Sequence, residues 1–174
     1  MTDNWLMLTM IGKDKPGMVA AVTAALVETG VSLGETSMIR LGGNFTVMMM
    51  VSGTLSEDEL RAALQPVLEA QGMCLHVDPI EAHLHEHPVP NIQVTVSGAD
   101  RVGIVAQVTG ALAETGFNIL DLESDIAGSS EAPVYILQIA GVSSLAVEQI
   151  EQALAPLREQ GVSVNVSPIE TYIG

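Results

Sequence analysis

Between Trp5 and Ile11 the chain is apolar at nearly every position, which predicts a short strand, and the period then changes. From Met18 to Thr29 apolar residues fall at Met18, Val22, Ala25 and Leu26, the spacing of one face of a helix, and Gly30 supplies the expected stop. Val31 to Leu41 reads as a second strand, Gly42-Gly43-Asn44 as a hairpin turn and Phe45 to Val51 as a third strand. Ser56 followed by Glu59 is a capping-box pair opening a helix that runs to about Gln71, and Gly72 leads into a fourth strand, Met73 to Ala82. The order is β-α-β-β-α-β. Two interleaved right-handed crossovers of this kind predict a four-stranded antiparallel sheet with both helices on one face, the ferredoxin-like α+β arrangement.

The pattern then repeats. Asn91 to Ser97, Val102 to Thr115, Phe117 to Ala127, Pro133 to Gly141, Ser144 to Gln160 and Val162 to Glu170 give the same order, with a longer hairpin tip at Gly128-Ser129-Ser130-Glu131-Ala132. Gly12 to Gly30 and Gly98 to Gly116 align without a gap and are identical at 12 of 19 positions. Asp78-Pro79-Ile80-Glu81 is answered by Ser167-Pro168-Ile169-Glu170. An internal duplication predicts two domains, residues 1–82 and 91–174, joined by the polar, proline-ended linker 83–90. The halves differ in one respect. Ile92-Gln93-Val94-Thr95-Val96-Ser97 alternates cleanly, as a strand with one covered face should, whereas Leu6-Met7-Leu8 and Val47-Met48-Met49-Met50-Val51 are apolar on both faces. The helix-free side of the first sheet is therefore expected to be covered, by the second unit or by another copy in a homo-oligomer.

Charge narrows the partners. The 174 residues carry 6 Lys and Arg against 21 Asp and Glu, a net charge of −15, and only 3% aromatic residues. Nucleic-acid affinity comes largely from basic groups on phosphates and from stacking platforms, so direct nucleic-acid binding is not expected. Mean hydropathy is high, at +0.38. No apolar run approaches the roughly 18 residues that span a bilayer, so no membrane association is expected. The N-terminus lacks a basic, apolar leader and Cys74 is the only cysteine, both pointing to a cytoplasmic protein.

Candidate chemistry concentrates in the repeated turn. In Gly12-Lys13-Asp14-Lys15-Pro16-Gly17 a strand passes into a helix, with Pro16 expected as its first residue and glycines keeping the bend open. The free N–H groups of such a helix start form a seat for a carboxylate or phosphate. Gly98-Ala99-Asp100-Arg101-Val102-Gly103 is the second copy, with Val102 in place of the proline. The alternation of His83, His85 and His87 would turn three imidazoles to one side of an extended segment, a weak metal pattern in a tract that is usually solvated. No metal or other cofactor is expected. His76 reads as structural. There is no Gly-x-Ser-x-Gly elbow and no phosphate loop followed by Lys-Ser/Thr, so no enzymatic activity is expected.

These features resemble tandem ACT domains, small-molecule-sensing modules of amino-acid metabolism. More closely, Gly12-x-Asp14-Lys15-Pro16-Gly17, Leu41-Gly42-Gly43-Asn44-Phe45-Thr46-Val47 leading to Ser52-Gly53, and two units with nothing attached resemble the glycine cleavage system transcriptional repressor family. The resemblance implies an amino-acid ligand, glycine or another small one, between the first turn of one unit and the second strand of a neighbour. It implicates Asp14, Pro16 and Gly17 in the first unit and Asp100 and Gly103 in the second, and the neighbouring turn residues Gly12, Lys15, Gly98 and Arg101 complete the candidate ligand-binding set. Asn118 falls where such domains hold a ligand-facing Asn, and Ser32 occupies that place in the first unit. A protein partner, such as a transcriptional activator, is the implied target. The competing reading is a protein-interaction module that needs no ligand.

Overall fold

The computed structural model describes residues 4–81, 88–99, 103–129 and 132–169. The chain divides into two compact units, Met1–Leu84 and His85–Gly174. Of the expected linker, residues 83–87 with His83, His85 and His87 lie outside the described residues, as do Asp100, Arg101 and Val102 of the second turn.

In the first unit the elements are β1 (Asn4–Lys13), α1 (Met18–Thr29), β2 (Ser32–Leu41), β3 (Asn44–Gly53), α2 (Glu57–Gln71) and β4 (Met73–Ile80). Its four strands pair antiparallel in the order β2-β3-β1-β4. Leu6, Leu8 and Met10 alternate along β1, and Val47, Met49 and Val51 along β3, into one cluster with Met18, Val22 and Leu26 of α1 and Leu60, Leu64 and Leu68 of α2. One sheet face and both helices thus share a single core. A side chain of this size contributes roughly 1.5–3 kcal/mol on full burial, so these alternating positions hold the helices to the sheet.

The second unit repeats the arrangement with β5 (Ile92–Ala99), α3 (Ile104–Glu114), β6 (Asn118–Ser129), β7 (Ala132–Val142), α4 (Val147–Glu159) and β8 (Ser163–Pro168), in strand order β6-β7-β5-β8. Ile92, Val94 and Val96 of β5 meet Leu137 and Ile139 of β7 and the inner faces of α3 and α4. Each unit is therefore ferredoxin-like. In both, an arginine ties the second helix to the last strand: Arg61 Nη1 donates to Leu75 O at 3.2 Å, and Arg158 Nη2 to Val164 O at 2.9 Å.

Two expectations need correcting. Pro16 is not the first helical residue: Gly17 is the N-cap, in the left-handed region at φ 85, and α1 starts at Met18. A left-handed cap costs glycine nothing, whereas Pro16 as first residue would have required the cap at Lys15. Helix α4 starts at Val147 rather than Ser144. Ser143 Oγ accepts from Leu145 N–H at 3.1 Å, and this local turn delays the helix.

Candidate functional site

The repeated turn is built on a contrast among helix starts. At α2, Ser56 and Glu59 cap one another: Glu59 Oε2 accepts from Ser56 N–H at 2.9 Å, and Glu59 N–H donates to Ser56 Oγ at 3.3 Å. The Ser56 N–H, together with the Ser56 hydroxyl that donates to the same Oε2 at 2.8 Å, holds the Glu59 carboxyl below its ordinary value. Helix α4 is closed by Gln149 Oε1, which accepts from Ala146 N–H at 3.1 Å. The starts of α1 and α3 have neither device. Gly17 and Gly103 are both left-handed, at φ 85 and 89, with no side-chain cap and no acidic residue in the first turn. The first backbone bonds are Ala21 N–H to Gly17 O at 2.9 Å and Gln107 N–H to Gly103 O at 3.0 Å. Helical geometry directs the preceding N–H groups outward along the axis, where they can receive an anion.

In the first unit the turn is fastened to its own β2–β3 hairpin. Asp14 N–H donates to Gly43 O at 3.1 Å. The Asp14 carboxylate pairs with Arg40 of β2, the aspartate side chain being 27% exposed and the arginine 67%. Lys15 is turned the other way, its Nζ donating to Gln71 O at 3.4 Å. Gly12 is required by packing: a Cβ there would stand 2.9 Å from Met73 Cγ and 3.2 Å from Gly72 O. Gly98 has ordinary room, its nearest atom being Val162 Cα at 3.6 Å.

Asp14, Lys15, Pro16 and Gly17 thus form the turn that follows Gly12 near the end of β1, with Asp14 already engaged by Arg40. Sequence reasoning passed over Arg40. Its signal was a basic residue shortly before the Gly42-Gly43 turn, opposite Phe45, which in turn faces Gly12. The same register in the second unit runs Gly98, Tyr135, Ile126, so that unit has no arginine there. Asn118 lies exposed at the start of β6, opposite Val142, and Ser32 at the start of β2, opposite Ser52. Gly103 is the cap described above. Among the described residues no group of three His, Cys, Asp or Glu side chains could hold a metal ion.

ACT-domain models match residues 4–78 and 92–159. The glycine cleavage system transcriptional repressor of Escherichia coli is 27% identical over 174 residues, covering 95% of this chain and 91% of the relative, and the two proteins are homologous. UPF0237 protein YjhC of Lactococcus lactis is 39% identical over 71 residues, 40% of this chain and 82% of its own length. The fold of a Galdieria sulphuraria protein of unknown function superposes with TM-score 0.74 at 22% identity, covering 97% of this chain and 99% of that one. A crystal structure assigned provisionally as a glycine cleavage system transcriptional repressor gives 0.73 at 19% identity, with 98% and 100% covered. The chain belongs to the ACT-domain family and carries two ACT domains in tandem.

Proposed function

We propose that this protein is a non-enzymatic, cytoplasmic regulator that binds a small amino acid, glycine or a close analogue, and passes its occupancy to a protein partner such as a transcriptional activator. The observation that carries this reading is the end-to-end homology with the Escherichia coli repressor. The geometry supports it. A zwitterion needs an anion seat and a carboxylate close together, and the first turn offers the uncapped start of α1 beside Asp14. The ligand carboxylate sits on the N–H groups at the helix start. Its ammonium meets the Asp14 carboxylate, which Arg40 holds in place from the opposite side. The second unit offers a comparable helix start at Gly103, without an arginine at the position of Arg40. A net charge of −15 argues against direct contact with DNA, so control of transcription runs through the partner.

Thermal melting of the full chain with each of the twenty amino acids tests this. A ligand at about a hundredfold over its Kd adds about 2.7 kcal/mol of stability, which raises Tm by roughly 5–10 °C in a chain of this size. A flat response to all twenty favours the ligand-independent interaction module instead.

A further inference from the structure

Sulfur is distributed unevenly along the chain. All 9 Met and the single Cys74 fall within the first unit, and the second unit repeats the fold without a methionine. Met10, Met18, Met49 and Met73 are buried in the first core. Met7, Met48 and Met50 are turned to the other side of the sheet, because each alternates with core residues: Leu6 and Leu8 flank Met7, and Val47, Met49 and Val51 flank the other two. Strand register fixes where they stand. Met7 of β1 lies directly opposite Met50 of β3, and Thr9 opposite Met48, so the three form a triangle on one face. Met48 is 44% exposed, and Met7 and Met50 are half-buried. In the second unit the corresponding pairs are Gln93 opposite Ala140 and Thr95 opposite Gln138. One fold, built twice in one chain, thus carries the sulfur triangle in one copy and no sulfur there in the other.

We infer that Met7, Met48 and Met50 form a binding site for a soft monovalent cation, Cu(I), held by three thioether sulfurs. The side-chain type points away from a purely apolar role. β1 and β3 are the two inner strands of the sheet, where β-branched and aromatic residues fit the pleated surface better than an unbranched thioether does. The spacing suits three ligands. Directly opposed Cβ atoms stand about 4.5–5.5 Å apart, and the diagonal and same-strand neighbours about 7–8 Å. A cation above the middle of that triangle stands about 4 Å to the side of each Cβ, within reach of a side chain with three rotatable bonds. The donor set then chooses the metal. Thioethers select soft ions such as Cu(I), whereas Zn(II) favours thiolate and imidazole, and Mg(II) and Ca(II) favour oxygen. Among the described residues no group of three His, Cys, Asp or Glu offers those harder metals a site. A net charge of −15 draws cations of every kind towards the molecule, and the sulfur triangle retains the soft one.

Titration of the full chain with Cu(I), without oxygen and in competition with a chromophoric Cu(I) chelator, tests the inference. The parent for this test carries Cys74→Ser and has His83, His85 and His87 replaced by Ala, so that no thiol or linker imidazole competes. One equivalent of Cu(I) is expected to bind. Met7→Leu and Met48→Leu conserve volume and apolar character, and each weakens Cu(I) binding about tenfold or more, since even residues that only support a metal ligand are worth about 10–100-fold. Met38→Leu, at another exposed methionine of the first unit, leaves affinity unchanged. A second measurement needs no variant of the site. With 13C-labelled methionine methyl groups, Ag(I), a redox-inert stand-in, shifts the signals of Met7, Met48 and Met50 together and leaves those of Met10 and Met38 in place, and Zn(II) moves none of the three. Absence of Cu(I) binding by the parent, equal affinity in the parent and Met48→Leu, an equal loss from Met38→Leu, or a silver shift that misses the three methionines each overturns it.

Discussion

Asp14 illustrates how much rests on a single side chain. Its N–H closes the turn onto Gly43 and its carboxylate holds Arg40, so the residue is positioned before any ligand arrives. An exposed ion pair contributes only about 0–1 kcal/mol, so Arg40→Ala and Asp14→Ala should each leave Tm almost unchanged. Their effects on ligand should differ. Removing Asp14 takes away the ammonium partner, worth roughly 1.5–3 kcal/mol, and weakens affinity about tenfold or more. Removing Arg40 only loosens that partner, and the loss is smaller. Isothermal titration of the amino acid identified by melting, against both variants, checks the order. Equal affinity in wild type and Asp14→Ala places the ligand elsewhere. The place of Asp14 in the repeated turn was legible because the sequence repeats it at Asp100, whereas its pairing with Arg40 was not, because that partner is set by strand register and no second copy advertises it. A different residue-scale constraint lies at Gly141, where a Cβ would collide with the Phe117 ring and Asn118 O. Overpacking of this kind usually costs about 1–3 kcal/mol, so Gly141→Ala should lower the denaturant midpoint clearly, while Gly98→Ala, with ordinary room, should not.

At the scale of elements, the helices and strands followed from periodicity because each buries one regular stripe, and the capping box of α2 was written plainly in Ser56 and Glu59. Element ends were less legible. Whether a helix begins at Pro16 or Met18 depends on one left-handed glycine, and hydrophobic spacing is silent about φ. Proline inside α2 and α4, at Pro66 and Pro156, would have argued for a break in either helix taken alone. Both persist because the turns on either side bury Leu64 and Leu68, or Leu154 and Leu157, in the cores. The α2 cap also has a pH signature. Glu59 has a lowered pKa in the folded chain, so its contribution is complete above the ordinary value of 4.5 and is lost as pH falls through the lowered one. Glu59→Gln should therefore lose stability at neutral pH yet show a shallower decline on the acid side, measured by urea unfolding from neutral pH downwards.

For the whole molecule, duplication makes each unit a reference for the other. The sequence already distinguished a sheet with one covered face from a sheet apolar on both, because Gln93, Thr95 and Ser97 stand where Met7, Thr9 and Ile11 stand in the first copy. What it could not convey was which of those apolar positions pair across strands, since rows such as Ile39, Thr46, Ile11 and Cys74 exist only once register is fixed.

The uncapped starts of α1 and α3 have a further consequence in a chain this acidic. Each is a small region of positive potential embedded in the negative field of a molecule with net charge −15. A multiply charged anion such as a phosphate ester approaches against that field, while an amino acid, neutral overall with two opposite charges, is hardly repelled. Screening by salt weakens the field beyond about 8–10 Å and leaves short contacts largely intact. The protein's charge should therefore work as a filter that ionic strength can open. Amino-acid affinity should stay nearly constant between low and moderate salt, whereas any binding of phosphate or a dicarboxylate at the same seats should strengthen as salt rises, until direct competition by the added anions takes over. Titrations of both ligand types at several salt concentrations would show whether selectivity resides in the turn alone or in the field around it.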